Sequence, residues 1–225
     1  TGSVCQDGRC VLRKEATAPA PVIPAPTTEP SKITPAPTTI PPGPYAPEPT
    51  VKGVFELTKT NIGYPRGGTY IHVKDTVNEI FESATALPLI LGMITQESTG
   101  DRETKPSSKG AAGLMQIMPI TETDVNLYLS KLNKQPKDRD KWQDNVYIGV
   151  LYFKFQLNQF KNIELSLAAY NAGPTRVNLV CKKNDLSYKS FEECKPLLPK
   201  ETQDYVPAVL KHAEAWRREL LVPGV

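Results

Sequence analysis

The sequence predicts a mainly α-helical domain behind a Pro-rich disordered tether, and three observations carry that prediction. Pro, Ala and Thr dominate from Pro19 to Pro49, where most of the 22 Pro of the 225-residue chain fall. From Val73 onward, apolar residues recur at the i, i+3, i+4 spacing of one buried helix face. After Tyr70 almost no segment shows the apolar–polar alternation of a half-buried strand. The chain therefore divides into a short Cys-containing segment (1–18), a Pro/Thr-rich linker (19–50) and one domain (51–225), which is long enough to bury its own core.

The linker lacks the apolar residues that would offset its ordering entropy, and its prolines favour an extended, semi-rigid chain. An arm wrapped on the domain and a glycosylated stalk are the alternatives that composition leaves open. Residues 51–70 mix apolar side chains with Gly63, Pro65, Gly67 and Gly68, and read as an irregular lead-in with one short extended piece. Val73, Val77, Ile80, Phe81 and Ala84 then mark a first helix. A second follows Ala86, with Pro88 suited to its first turn, and a polar loop runs from Thr99 to Gly110. Residues 121–132 read as a further helix, broken at Pro136. The most periodic segment is 144–160, where Val146, Ile148, Gly149, Leu151, Tyr152, Phe155 and Leu157 form a broad apolar face. Helices over 165–171 and 205–220 complete the domain.

Charge and inventory exclude several classes. The net charge of +3 is spread among interspersed acids and bases, and no basic patch with interleaved aromatics points to nucleic acid. No apolar run approaches the ~20 residues of a membrane span. No charged, hydrophobic leader opens the chain, so an exported protein would be seen in its mature form. Cys5 with Cys10 and Cys181 with Cys194 are local pairs, the simplest of three connectivities, and an even count in pairs suits an oxidising compartment. A four-thiolate zinc site and reduced structural thiols are the rivals, the first lacking Cys-x-x-Cys knuckles. No cofactor motif or metal-binding helix signature occurs. The two histidines, His72 and His212, sit in helical stretches away from any suitable nucleophile, which disfavours a peptidase.

The chemistry gathers at the second helix. Leu87-Pro88-Leu89-Ile90-Leu91-Gly92-Met93-Ile94-Thr95-Gln96-Glu97-Ser98 ends by bringing one acid into apolar surroundings. Desolvation raises a carboxyl pKa toward the working pH, as a general acid acting on a poor leaving group requires. Two further segments are unlike core filling: Gly113-Leu114-Met115-Gln116-Ile117-Met118-Pro119, and Ala168-Ala169-Tyr170-Asn171-Ala172-Gly173-Pro174. They place amides and a phenol beside helix-ending Gly and Pro, the groups that hold a sugar.

In order and spacing, Glu97-Ser98, Gly113-Leu114-Met115-Gln116-Ile117 and Ala169-Tyr170-Asn171-Ala172-Gly173-Pro174 resemble the soluble lytic murein transglycosylases. The segment from Asp144 to Tyr152 and the closing Glu201-Thr202-Gln203-Asp204-Tyr205-Val206 are similar to two more of that family's patterns. The resemblance covers roughly Val73 to Trp216 and implies a lysozyme-like fold of the goose type. It implies that Glu97 alone serves as acid and then base in cutting peptidoglycan, with an anhydro sugar as product. Ser98 would hydrogen-bond near the acid, and Gln116 and Met118 would line the sugar cleft. Tyr170 would donate toward the acid or the sugar, Asn171 would brace the cleft, and Glu201 and Tyr205 would complete the groove. Thr99-Gly100-Asp101-Arg102-Glu103 departs from the family's common form.

Two alternatives stay open at this point. Asp101, Glu103, Glu122 or Asp124 would hold a water in a hydrolytic muramidase, and a non-catalytic wall-binding or scaffold protein would keep the cleft without chemistry. No cofactor is expected. Peptidoglycan strands are the expected partner, in the periplasm or outside the cell, and the tether suggests recruitment to an envelope secretion, conjugation or pilus machine.

Overall fold

The computed structural model describes residues 3–6, 9–12, 49–184 and 187–221. The chain divides into two compact units, Thr1–Thr38 and Thr39–Val225. In the first, strands β1 (Ser3–Gln6) and β2 (Arg9–Leu12) pair antiparallel, with Cys5 opposite Cys10. The side chains of Cys5 and Cys10, and with them their expected bond, lie outside the described residues, as does nearly all of the 19–50 linker.

The second unit is helical and opens with a correction. Residues 49–62 form helix α1 (Pro49–Ile62) rather than an irregular lead-in. Its Phe55, Thr58 and Ile62 fall on one buried face, so tertiary packing overrides the weak local propensity of Gly53 and the threonines. Phe55 meets Trp216 edge-on, with ring centroids 5.0 Å apart. Helix α2 (Gly68–Phe81) buries Val73, Val77 and Ile80, as the periodicity predicts, and starts five residues earlier than the first apolar repeat.

Helix α3 (Leu87–Ser98) carries Pro88 in its first turn, where no intrahelical N–H is lost. Leu87, every residue from Leu89 to Thr95, and Ser98 are buried, so its apolar character on all sides marks it as the core helix. Each large apolar side chain here contributes ~1.5–3 kcal/mol of transfer free energy. Helices α4 (Pro119–Lys131), α5 (Trp142–Phe160) and α6 (Ile163–Ala172) follow, and α6 stops at Gly173, which takes a φ of 85°. Helix α7 (Pro174–Cys181) leads to the small antiparallel pair β3 (Lys182–Asn184) and β4 (Ser187–Tyr188) and to the short α8 (Phe191–Cys194). None of these last four was predicted. Cys181 and Cys194, both buried, form a disulfide that closes this excursion.

Helix α9 (Lys200–Leu221) crosses α3 closely enough that a Cβ on Gly92 would lie 2.7 Å from the Ala213 nitrogen. Register along this crossing is set by the Trp216 indole N–H, which donates to Thr95 Oγ1 at 3.0 Å, while the same hydroxyl donates to the Leu91 carbonyl at 2.7 Å. Among the described residues, no helix is long and apolar enough to cross a membrane.

Candidate active site

Glu97 occupies the next-to-last position of α3, where the helix leaves the core. Its carboxyl is only partly accessible to solvent, and burial pushes its pKa up from 4.5 to about 7. The Tyr205 phenol on α9 opposes this by interacting with the carboxylate, and the charge of Glu201, one turn earlier, adds to the rise. The buried Tyr205 hydroxyl has no partner in good hydrogen-bond geometry among the described residues, so its pairing with Glu97 is a loose one.

Three other expected residues hold the walls. Ser98 Oγ donates to the Leu114 carbonyl at 2.8 Å and to Ile94 O at 3.2 Å, stapling α3 to the turn over residues 112–117. The Tyr170 hydroxyl donates to the Met115 carbonyl at 2.8 Å rather than to the acid. Burial first, and then the Glu97 charge, raise the Tyr170 pKa well above the usual phenol range, so both phenols beside the acid stay neutral. Asn171 Oδ1 accepts from the Thr202 hydroxyl at 2.6 Å, tying the end of α6 to the first turn of α9.

Gln116 has a left-handed backbone with φ 48°, and its amide donates back to Gly113 O at 3.0 Å, within its own turn. Met118 caps α4 and is partly exposed. Glu201 is mainly exposed and pairs with Lys109 at 3.1 Å. The four acids weighed as second carboxylates divide differently. Glu122 accepts from Arg139 N at 3.0 Å and lies 3.6 Å from Arg139 Nε, whereas Asp101, Glu103 and Asp124 are exposed. The carboxylate coupled to Glu97 is instead Glu201.

One organising residue is missed by local reading. Asn145, in the first turns of α5 and fully buried, accepts from Met115 N at 2.9 Å and donates to Ala112 O and Arg139 O, each at 2.8 Å. It clamps the turn that carries the carbonyls of Leu114 and Met115. The sequence signals are a polar side chain at the head of an apolar periodic run and its place in the segment similar to the family's pattern, but neither shows the clamp, because two of its partners are 30 and 33 residues away. Among the described residues, no group of three His, Cys, Asp or Glu is placed to hold a metal.

A buried acid with raised pKa, between two neutral phenols and a clamped polar turn, defines a site for protonating an ether oxygen. Residues 81–190 match the family model of the transglycosylase SLT domain. The chain is 35% identical over 131 residues to the soluble lytic murein transglycosylase of Escherichia coli (strain K12), covering 56% of this chain and 20% of that protein. Among solved structures it is similar to an inactive mutant of lytic transglycosylase Slt from Pseudomonas aeruginosa, with TM-score 0.57, 26% identity, and 70% of this chain and 25% of that one covered. The fold of the 70 kDa soluble lytic transglycosylase SLT70 of Escherichia coli matches with TM-score 0.53 at 24% identity, over 76% of this chain and 30% of that one. The chain carries a domain of the transglycosylase SLT family. It spans about a fifth of the length of the soluble relative it matches.

The carboxyl pKa of about 7 sets a pH dependence. The protonated, donating form dominates below that value, so a reaction in which Glu97 gives up its proton slows as pH rises through it. Tyr205→Phe removes the interaction that lowers the pKa, and the falling limb moves to higher pH. A limb that stays in place would assign Tyr205 no electrostatic part.

Proposed function

We propose that this chain is a peptidoglycan lytic transglycosylase that cleaves the β-1,4 bond between N-acetylmuramic acid and N-acetylglucosamine. The observation that carries the reading is Glu97, held in apolar surroundings yet reachable, with its pKa raised to about 7. Glu97 gives its proton to the glycosidic oxygen as the bond from the anomeric carbon breaks, and the N-acetyl group assists at that carbon. The resulting carboxylate takes the proton of the muramoyl 6-hydroxyl as its oxygen bonds to the anomeric carbon. The product is a 1,6-anhydromuramoyl end, the acid is regenerated and no water is consumed. Tyr170 and Tyr205 wall the acid, and Gln116, Met118 and Asn171 line or brace the sugar cleft.

Hydrolysis by a muramidase is the second reading, favoured by one observation: Glu201 is electrostatically coupled to Glu97. Mass spectrometry of digested glycan separates the two. Transglycosylation gives disaccharide products lighter by one water, and reducing ends alone would sink it.

The Cys181–Cys194 disulfide supports an oxidising compartment, in the periplasm or outside the cell. The segment ahead of α1 is proposed to recruit the enzyme to an envelope secretion, conjugation or pilus machine that needs a local gap in the wall. Deleting residues 1–48 then leaves glycan cleavage intact and abolishes localisation to that machine; loss of cleavage would instead make the arm part of the domain.

A further inference from the structure

A second recess opens just beyond the acid. A groove of about 400 Å³ is lined by Asn61, Gly63 and Gly67–Thr69 on one side, and by Gly100–Glu103 on the other. Its first wall belongs to the α1–α2 connection, outside the matched family segment, and its second is the loop that departs from the family's form. Gly100 follows Glu97 by three positions, so the rim lies within ~11 Å of the acid's backbone by chain reach alone.

Both walls are held in place. Asn61 Nδ2 donates to the Thr99 carbonyl at 2.8 Å. Gly100, at φ 75°, fits so tightly that a Cβ would meet Ile62 Cγ2 at 2.8 Å. The Arg102 guanidinium lies 3.9 Å from the Trp142 ring centroid and donates through Nε to Thr69 Oγ1 at 2.7 Å. Nη2 donates to the same hydroxyl, which leaves Nη1 without a partner among the described residues. A guanidinium stacked and hydrogen-bonded in this way has lost much of its rotamer freedom before any ligand arrives. Asp101 and Glu103 flank it in sequence and all three are exposed; Asp101 Oδ1 accepts from Glu103 N at 2.9 Å, and neither carboxylate has a cationic partner among the described residues.

This arrangement selects by charge. Phosphate or another compact anion would be repelled by the two carboxylates, and a simple cation by the guanidinium. A group carrying both charges a few bonds apart meets each with its opposite. We propose that the groove binds a zwitterionic amino-acid group, its carboxylate on Arg102 and its ammonium between Asp101 and Glu103. It thereby reads the free ends of peptides attached to the glycan that Glu97 cuts. That last step rests on the transglycosylase reading; the binding itself does not.

The test titrates the isotope-labelled full chain with meso-diaminopimelate, followed by backbone amide shifts in NMR, alongside the N-acetylated and the methyl-ester derivatives. Shifts at Thr69, Gly100 and Arg102 with the free compound, and weakening of at least about tenfold on blocking either charge, are expected. The double variant Asp101→Asn/Glu103→Gln alters only exposed carboxylates, and Arg102→Lys keeps the charge while losing the planar fork. Each is expected to weaken binding by about tenfold or more, with the circular dichroism spectrum retained. Equal binding of the blocked compounds, shifts centred on Glu97, or no shifts at all would overturn the proposal. Glycan cleavage is assayed on the same preparation. Cleavage without groove binding defeats the groove alone, and groove binding without cleavage defeats the transglycosylase reading alone.

Discussion

On the transglycosylase reading, Glu97→Gln is expected to abolish glycan cleavage and, above neutral pH, to make the protein more stable. Both effects have one cause. Gln is nearly isosteric but neither gives nor takes the proton, so kcat/KM falls by about a thousandfold or more. The wild-type carboxyl titrates at about 7 when folded and 4.5 by default, so between these values the folded state holds a proton that the unfolded state has lost. Stability is therefore full below about pH 4.5 and falls as pH rises to about 7. The shift corresponds to about 3 kcal/mol at full ionisation. The Gln variant escapes this loss, so its melting temperature exceeds that of the wild type by about 6–12 °C near pH 8, and the difference shrinks toward about pH 4. His212, held neutral by burial with a pKa lowered to about 4, costs stability as pH falls below its usual 6.5, but it is common to both proteins and cancels in the comparison. Cleavage retained by the variant would remove Glu97 from the chemistry. A stability difference independent of pH would show that the acid is not desolvated. This is the exchange of stability for function expected of a working site.

How far such a site is legible depends on the range of the interactions that build it. Helices α2 and α5 follow from apolar spacing because each buries a face whose period is written locally, and α3 follows from a continuous apolar run. Glu97 is legible for the same reason, as an acid that breaks an apolar run. Helix α1 is not, because its glycine and threonines are poor helix formers and the contact that rewards the helix, Phe55 on Trp216, lies more than 150 residues away in the chain. The Asn145 clamp, the Thr202–Asn171 bond and the Trp216–Thr95 bond all join distant segments. No window of sequence contains both partners. Glu201 was placed in the groove by resemblance, but its electrostatic hold on the acid emerges only once α9 is laid across α3.

Gly113→Ala is expected to have the larger structural effect, because one methyl group acts on the clamp and the backbone together. Gly113 has a φ of 75°, a conformation that costs a residue with a Cβ about 1 kcal/mol or more. The new Cβ would stand 2.3 Å from Asn145 Nδ2 and 2.6 Å from its Cγ. Asn145 cannot move aside without breaking its buried bonds to Met115 N and Ala112 O and its part-buried one to Arg139 O. Backbone strain, displaced side chain and orphaned polar groups together give a destabilisation of about 3–5 kcal/mol by denaturant unfolding. Activity falls further than stability alone explains, since the displaced turn carries the carbonyls that receive Ser98 and Tyr170. Asn145→Ala provides the control: it makes room for the methyl but forfeits the same three hydrogen bonds. In the double variant the clash has nothing left to strike, so its cost is below the sum of the two single costs by more than about 1 kcal/mol. Strict additivity would mean that the strain of Gly113→Ala resides in the backbone alone and that Asn145 is not what the turn is built against.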